Sequence, residues 1–280
     1  MEIFHNIQSF QEARKRLRND KKLGLVPTMG ALHAGHASLV KQAVANNEVT
    51  AVSIFVNPTQ FGAGEDLDKY PRTLAQDCAL LESLGVDWVF APTAKEIYPE
   101  ETQILFALKD LDKKLCGATR PGHFNGVIQV VSILFHIIRP DRAYFGLKDY
   151  QQFQIIRQMV NELHFQVEPV PCPIVRESDG LALSSRNVYL SGPEREQALF
   201  LYNTLSTIKR KIEDFQTASD VKDFVHHTLA QYPLAKLDYF EILNDKNLGE
   251  VDSLTAASNP RAFVAAFVGK TRLIDNMALY

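Results

Sequence analysis

What this 280-residue chain has little of narrows its class first. It holds three cysteines, Cys78, Cys116 and Cys172, far apart and without a C-x-x-C pair. That argues against a disulfide scaffold or a cysteine-based metal site, and the odd count fits a reduced, cytoplasmic chain. No apolar run reaches membrane-spanning length. The longest, "GVIQVVSILFHII", is short and carries Gln129, Ser132 and His136. The N-terminal "MEIFHNIQSFQEARKRLRND" lacks the apolar segment of a secretory signal. Charge of neither sign dominates. Thirty Lys and Arg against 33 Asp and Glu leave a net −3, so nothing general points to a nucleic-acid or membrane partner. No internal repeat and no low-complexity segment stands out.

What is present is ordinary for a globular protein: 46% hydrophobic and 22% charged residues, in a chain long enough to bury a core without covalent staples. "LGLVPT" at residues 23–28 reads as a short buried strand. "HASLVKQAVANN", from His36, places Leu39, Val40, Ala43 and Val44 at helical spacing. "VTAVSIFV" is continuous and β-branched, as in a strand covered on both faces. The alternation continues. "RTLAQDCALLESLG" is helical, "VDWVFAP" a strand, "QVVSILFHII" a helix, "AYFG" a very short strand, "YQQFQIIRQMVNEL" a helix and "FQVEPVP" a strand. This predicts a Rossmann-like α/β domain over residues 1–187, a parallel sheet with helices on both faces. Residues 188–280 read as a smaller C-terminal α+β domain. Its first helix spans "LSGPEREQALFLYNTLSTIKRKIEDF", with Ser191 as N-cap and a proline in the first turn. A second helix lies around "SDVKDFVHHTLAQ", and "LDYFEIL" and "AFVAAFVGKTRLID" are strand-like.

The stretch "PTMGALHAGH", residues 27–36, joins the first of these strands to a helix. Open parallel sheets bind ligands beyond the carboxyl ends of their strands. Gly30 and Gly35 let a ligand approach the backbone. The helix that follows offers unpaired N–H groups and a positive dipole end, which suit phosphate. His33 and His36, three residues apart, can add donors. Glycines are common in any strand-to-helix turn, and a single histidine is usually a packing or surface residue. His5, His123, His136, His164, His226 and His227 are read that way. His33 and His36 are not, because they share one glycine turn at the expected crevice. Zinc is a poor alternative, since neither helical H-x-x-x-H spacing nor a nearby cysteine or carboxylate partner accompanies them.

H-x-G-H at this place resembles the signature of the nucleotidylyltransferase superfamily, shared with class I aminoacyl-tRNA synthetases. "FVNPTQFGAGEDLDKYPRT", "RPGHFNGVIQVV", "PDRAYFGLKDYQQ", "IVRESDGLALSSRNVYLS" and "FVAAFVGKTRLIDN" narrow the resemblance to the pantoate–β-alanine ligases. It runs from Pro27 to about Ser191 and resumes near the C-terminus. It implies that ATP and pantoate give pantoyl adenylate and pyrophosphate, and that β-alanine then displaces AMP. By resemblance, Met29, Gly30, Ala31, Leu32, His33, Ala34, Gly35 and His36 line the ATP site, with His36 as proton donor. Gly146, Leu147, Lys148 and Asp149 form a second nucleotide turn. Lys148 holds phosphate as a point charge, and Asp149 contacts ribose or metal. Val175 packs on the nucleotide. Leu183, Ser184, Ser185 and Arg186 form a phosphate loop. The family has methionine where this chain has Leu183, a volume-conserving change of little expected effect. Gln60 and Gln152 are implied for pantoate, and Gln60, Asn57 and Tyr70 for β-alanine. The resemblance also implies a homodimer, and ATP as substrate implies Mg2+. The loop at residues 61–69, with its glycines and exposed acids, is expected to close over the adenylate and keep water out.

Taken singly, Lys148 and Arg186 read as surface charges, Asn57 as part of a turn and Gln152 as a solvated first-turn residue beside a solvated Gln151. Taken together, at the ends of successive strands, they read as a site. Another adenylyltransferase explains H-x-G-H but not the motifs around Gln60 and Gln152. A non-catalytic ATP sensor explains the fold but not the retention of both histidines, Lys148 and the "SSR" loop. A class I synthetase fragment lacks room for an anticodon-binding domain.

Overall fold

The alternation read from the sequence becomes, in a computed structural model, one six-stranded sheet in which every pairing is parallel. The structure describes all residues except Asn19, Ala63, Asp66 and Asp252. It divides into two compact units, residues 1–147 with 152–173, and residues 148–151 with 174–280.

The first unit runs β1 (Glu2–Phe4), α1 (Ile7–Arg16), β2 (Leu23–Thr28), α2 (Ala34–Asn46), β3 (Val49–Ile54), α3 (Leu74–Ser83) and β4 (Trp88–Phe90). Two short helices follow, α4 (Ala94–Ile97) and α5 (Leu115–Thr119). Then come α6 (His123–Ile138), β5 (Arg142–Gly146), α7 (Tyr150–Glu162) and β6 (Glu168–Cys172). The first two residues of α7 group with the second unit. The strands lie in the order β1-β4-β3-β2-β5-β6. Leu23 to Val26 and Val49 to Ser53 are buried without interruption, which is why these strands read as continuous apolar runs. On one face, Val40, Ala43 and Leu81 from α2 and α3 pack against Val26, Val52 and Val89. On the other, Phe10 of α1 meets Phe4, Trp88 and Phe90 at ring-centroid distances of 5.2, 5.7 and 5.3 Å. Sequence patterning did not separate β1 and α1, because a three-residue strand has no periodicity to detect.

In the second unit, α8 (Gly192–Gln197), α9 (Leu199–Arg210) and α10 (Ala218–Leu229) accompany an antiparallel sheet of β7 (Ala235–Asn244), β8 (Pro260–Val268) and β9 (Thr271–Ala278). Phe200, Leu201, Leu205, Val221 and Val225 from the helices share a core with Phe240, Ile242, Val264 and Leu273. The run expected as one helix is broken at Ala198 into α8 and α9. The strand-like "AFVAAFVGKTRLID" folds back as the β8–β9 hairpin, with Gly269 at φ +57° in its turn. This unit also takes in residues 174–187, which the sequence reading gave to the first domain. Arg176 bridges to Ala182 close by and pairs with Asp275 of β9, far along the chain.

All three cysteines are free, Cys78 half-buried and Cys116 and Cys172 buried. Burial pushes the Cys172 thiol up to about 11, which makes it a poor nucleophile. Among the described residues no helix is long and apolar enough to cross a membrane. The Phe10 cluster fixes α1 to the sheet edge, so Phe10→Ala should lower the unfolding free energy by about 3–5 kcal/mol in a denaturant titration.

Candidate active site

β2 pairs with β3 at six positions but with β5 at two, Gly24 with Arg142 and Leu25 with Ala143. The chain order also reverses here: β3 and β4 continue on one side of β2, and β5 and β6 lie on the other. Such a reversal opens a crevice beyond the strand ends. Residues 29–33 form the turn leaving β2 at this point.

That turn is held from below. Gly30 and Ala31 take φ of +82° and +52°. The left-handed region costs a non-glycine residue roughly 1–2 kcal/mol. At Ala31 the cost is offset by Asp77 of α3, which is 3% exposed. Its two carboxylate oxygens accept from the Ala31 N–H at 3.0 Å and the Leu32 N–H at 2.8 Å. Thr73 Oγ1 donates to the same group at 3.2 Å. Thr28 Oγ1 donates to the Ser53 carbonyl at 2.7 Å and accepts from the Gly30 N–H at 3.2 Å.

α2 starts at Ala34, two residues earlier than expected, so His33 is its N-cap and His36 lies in its first turn. The His33 Nδ1 accepts from the Gly35 N–H at 3.1 Å. The His36 Nδ1 accepts from the His33 N–H at 3.4 Å. Two imidazoles thus form a reciprocal capping box, their ring centroids 4.1 Å apart. An Nδ1 that accepts leaves the ring proton on Nε2. Each ring is therefore set up as an Nε2–H donor at the positive end of a helix.

Gln60 ends a 3-10 turn, Pro58–Gln60, that follows β3. Its amide is oriented by Asn57, which is 1% exposed. Asn57 Oδ1 accepts from the Tyr98 hydroxyl at 2.9 Å and from Thr59 Oγ1 at 3.1 Å. Asn57 Nδ2 donates to Gln60 Oε1 and to the Gly126 carbonyl, each at 3.1 Å. With its oxygen so engaged, Gln60 turns its NH2 toward Met29, whose sulfur lies 3.2 Å away. Asn57, expected beside the second substrate, thus orients Gln60 through hydrogen bonds of its own. Beneath it, the His123 Nδ1 donates to the Gln60 carbonyl at 2.8 Å, and its Nε2 lies 3.0 Å from Arg120. Arg120 grips Glu65 at 2.6 and 2.7 Å and holds that carboxyl below its ordinary range. Tyr70 is buried edge-on to Phe61 at 6.1 Å. Ala63 and Asp66 of the loop expected to close lie outside the described residues.

Gln152 is half-buried on α7, and Gln151, expected in solvent, is only 5% exposed. In the first unit Gly146 ends β5, where a Cβ would touch Leu39, and Leu147 follows it. In the second, Lys148 Nζ lies 3.7 Å from Asp149. The Leu183 N–H donates to the Val175 carbonyl at 3.0 Å. Ser184 Oγ caps the next turn by accepting the Arg186 N–H at 3.2 Å, which leaves its own O–H as a donor. Ser185 starts that 3-10 turn, and Asn187 ties it to Glu177 and to the Ala182 carbonyl. Among the described residues no group of three or more His, Cys, Asp or Glu side chains could hold a metal ion.

Sequence reasoning passed over Asp77, Tyr98, Arg120 and His123. For Asp77 there was a signal: it stands four residues before Leu81, on the buried face of an apolar helix, where a charge requires partners. Asp77→Asn should leave a turn N–H facing an amide NH2, lowering stability by about 1–3 kcal/mol in denaturant melts and displacing both histidines. Gly126 is a second fixed point, because a Cβ there would fall on the backbone of Thr59. Gly126→Ala should move the Gln60 turn and weaken whatever ligand Gln60 holds by about tenfold in calorimetric titration, about 1.4 kcal/mol.

Comparison with known proteins places the whole chain within one family. The family model described as pantoate-beta-alanine ligase matches residues 2–278. A pantothenate synthetase of Bacteroides fragilis is 51% identical over 99% of this chain and 98% of its own length. One from Caldicellulosiruptor bescii is 46% identical over 100% and 99%. The crystal structure of pantothenate synthetase from Thermus thermophilus superposes with a TM-score of 0.93 at 41% identity, covering 100% of both chains. That of the pantoate-beta-alanine ligase from Francisella tularensis, complexed with beta-gamma ATP and beta-alanine, gives 0.84 at 40%, covering 100% of this chain and 98% of that one.

Proposed function

The chain belongs to the pantoate–β-alanine ligase family, and from that premise we propose how its own residues condense pantoate with β-alanine at the expense of ATP. A pantoate carboxylate oxygen bonds to the α-phosphorus while the bond from that phosphorus to the bridging oxygen breaks, and pyrophosphate leaves. The β-alanine amine then bonds to the acyl carbon, AMP leaves with the adenylate oxygen, and the amine gives up a proton. The first step brings an anion to an anion and needs donors and alignment more than a base.

The observation that carries this reading is the pair of oriented Nε2–H donors on His33 and His36, set in the turn at the strand-order reversal. We assign them to phosphate oxygens, where preorganised donors stabilise charge as it develops. Met29, Gly30, Ala31, Leu32, Ala34 and Gly35 present the turn backbone to the nucleotide. Gln60 offers its NH2 to the oxygens of pantoate, and Gln152 contributes a second amide. Lys148, Ser184, Ser185 and Arg186 supply further phosphate donors, with Gly146, Leu147, Val175 and Leu183 against the nucleotide. Magnesium fits as the ion that ATP carries on its phosphates, neutralising their charge, with Asp149 as the carboxylate nearest Lys148. A cytoplasmic homodimer belongs to the same proposal, the location supported by three free thiols.

Pyrophosphate release from magnesium and ATP, with and without pantoate and in the absence of β-alanine, tests the reading. Release should depend on pantoate. His36→Ala, folded by circular dichroism, should be at least about tenfold slower, an effect of order 1.4 kcal/mol in the barrier. Release that ignores pantoate would point to an adenylyltransferase with another acceptor, and binding of ATP without release to a nucleotide sensor.

A further inference from the structure

Two adjacent buried side chains on β9, Asp275 and Asn276, reach both segments of the second unit that carry the assigned phosphate donors. Asn276 Nδ2 donates to the Lys148 carbonyl at 3.1 Å, while its Oδ1 accepts from Arg261 at 2.8 Å. Arg261 in turn lies over the Tyr150 ring at 4.0 Å, and the Tyr150 hydroxyl donates to the Asp245 carbonyl at 2.9 Å. The backbone around Lys148 is thus held from several directions.

Asp275 faces the other way. It takes Arg176 in a two-point pair at 2.6 and 2.9 Å, and its Oδ1 also accepts the Asn276 N–H at 2.7 Å. Arg176 opens the hairpin that leads to residues 184–186. It donates to the Gly180 carbonyl at 3.0 Å and lies over the Tyr202 ring at 4.9 Å. Gly180 leaves the space that Tyr202 fills, since a Cβ there would fall on the ring. The turn Ser185–Tyr189 rests against β9 itself.

Bidentate guanidinium–carboxylate pairs fix orientation as well as position. Buried hydrogen bonds of this kind hold the segments they join in one arrangement, although the Nε of Arg261 makes none. We propose that Asp275 and Asn276 are positioning residues that lock Lys148 and the turn at residues 184–186 into one geometry for gripping the phosphates of ATP. The proposal rests on the assignment of Lys148 and of residues 184–186 to phosphate.

The test is steady-state kinetics of Asn276→Asp and Asn276→Ala on the full chain, alone and combined with Lys148→Ala. Aspartate keeps the shape and the acceptor for Arg261 but cannot donate to the Lys148 carbonyl. Each variant's thermal midpoint and circular dichroism set the temperature at which it is assayed folded. Both Asn276 variants should lose about tenfold in kcat/KM for ATP, with the KM for β-alanine within twofold of native. Combined with Lys148→Ala, they should lose little more. Native-like kinetics of both Asn276 variants beside a slow Lys148→Ala would overturn this proposal alone. So would a loss of equal size with and without Lys148, because that marks general destabilisation. A Lys148→Ala variant as active as the native chain would overturn the phosphate assignment, and this proposal with it.

Discussion

A carboxylate buried under the turn after β2 sets the rest of the site. Asp77 accepts the Ala31 and Leu32 N–H groups, and only with that backbone in place does His33 arrive at the N-cap of α2. A buried charge is costly unless hydrogen bonds meet it, and here three donors do so. The arrangement ties the histidine turn to α3, an element that brings no side chain of its own to the assigned chemistry. The positions of the donors are therefore a property of the sheet and its covering helices, not of the loop alone.

Gln60 obeys a related rule by a different device. A carboxamide has two faces of opposite polarity, and nothing in its own structure says which one it shows. Tyr98 and Thr59 settle the matter two bonds away, by occupying the Asn57 oxygen and turning the Asn57 nitrogen onto the Gln60 oxygen. The NH2 is the face that remains. An outward NH2 suits an oxygen acceptor rather than an ammonium group, and that face is set by a phenol that lies behind the amide.

The main architecture was legible because parallel strands buried on both faces, and the helices between them, keep different periods. The turn at residues 27–36 was legible because glycine, histidine and a strand end coincide. Other features left weaker marks. β1 is three residues long, the break at Ala198 falls in a run with good helical character, and Gly269–Lys270 is not one of the strong hairpin dipeptides. Asn57 entered through the family resemblance, and the hydrogen bond that Tyr98 gives it, 41 residues further on, left no mark in the local sequence. Gln151 and Gln152 are adjacent and alike, and only packing makes one of them interior. The border between units was hard to place for the same reason: what draws residues 174–187 into the second unit is Asp275, far along the chain.

The double imidazole cap has one further consequence. A soft divalent ion such as zinc or copper binds a histidine through a nitrogen lone pair. In both rings the Nδ1 lone pair is spent on a backbone N–H, and the Nε2 carries a hydrogen. To ligate such an ion, either ring would have to surrender its part in starting the helix or shed the hydrogen it is placed to give. Two neighbouring histidines, in most settings an invitation to adventitious metal, are turned away from that use by the cap they form.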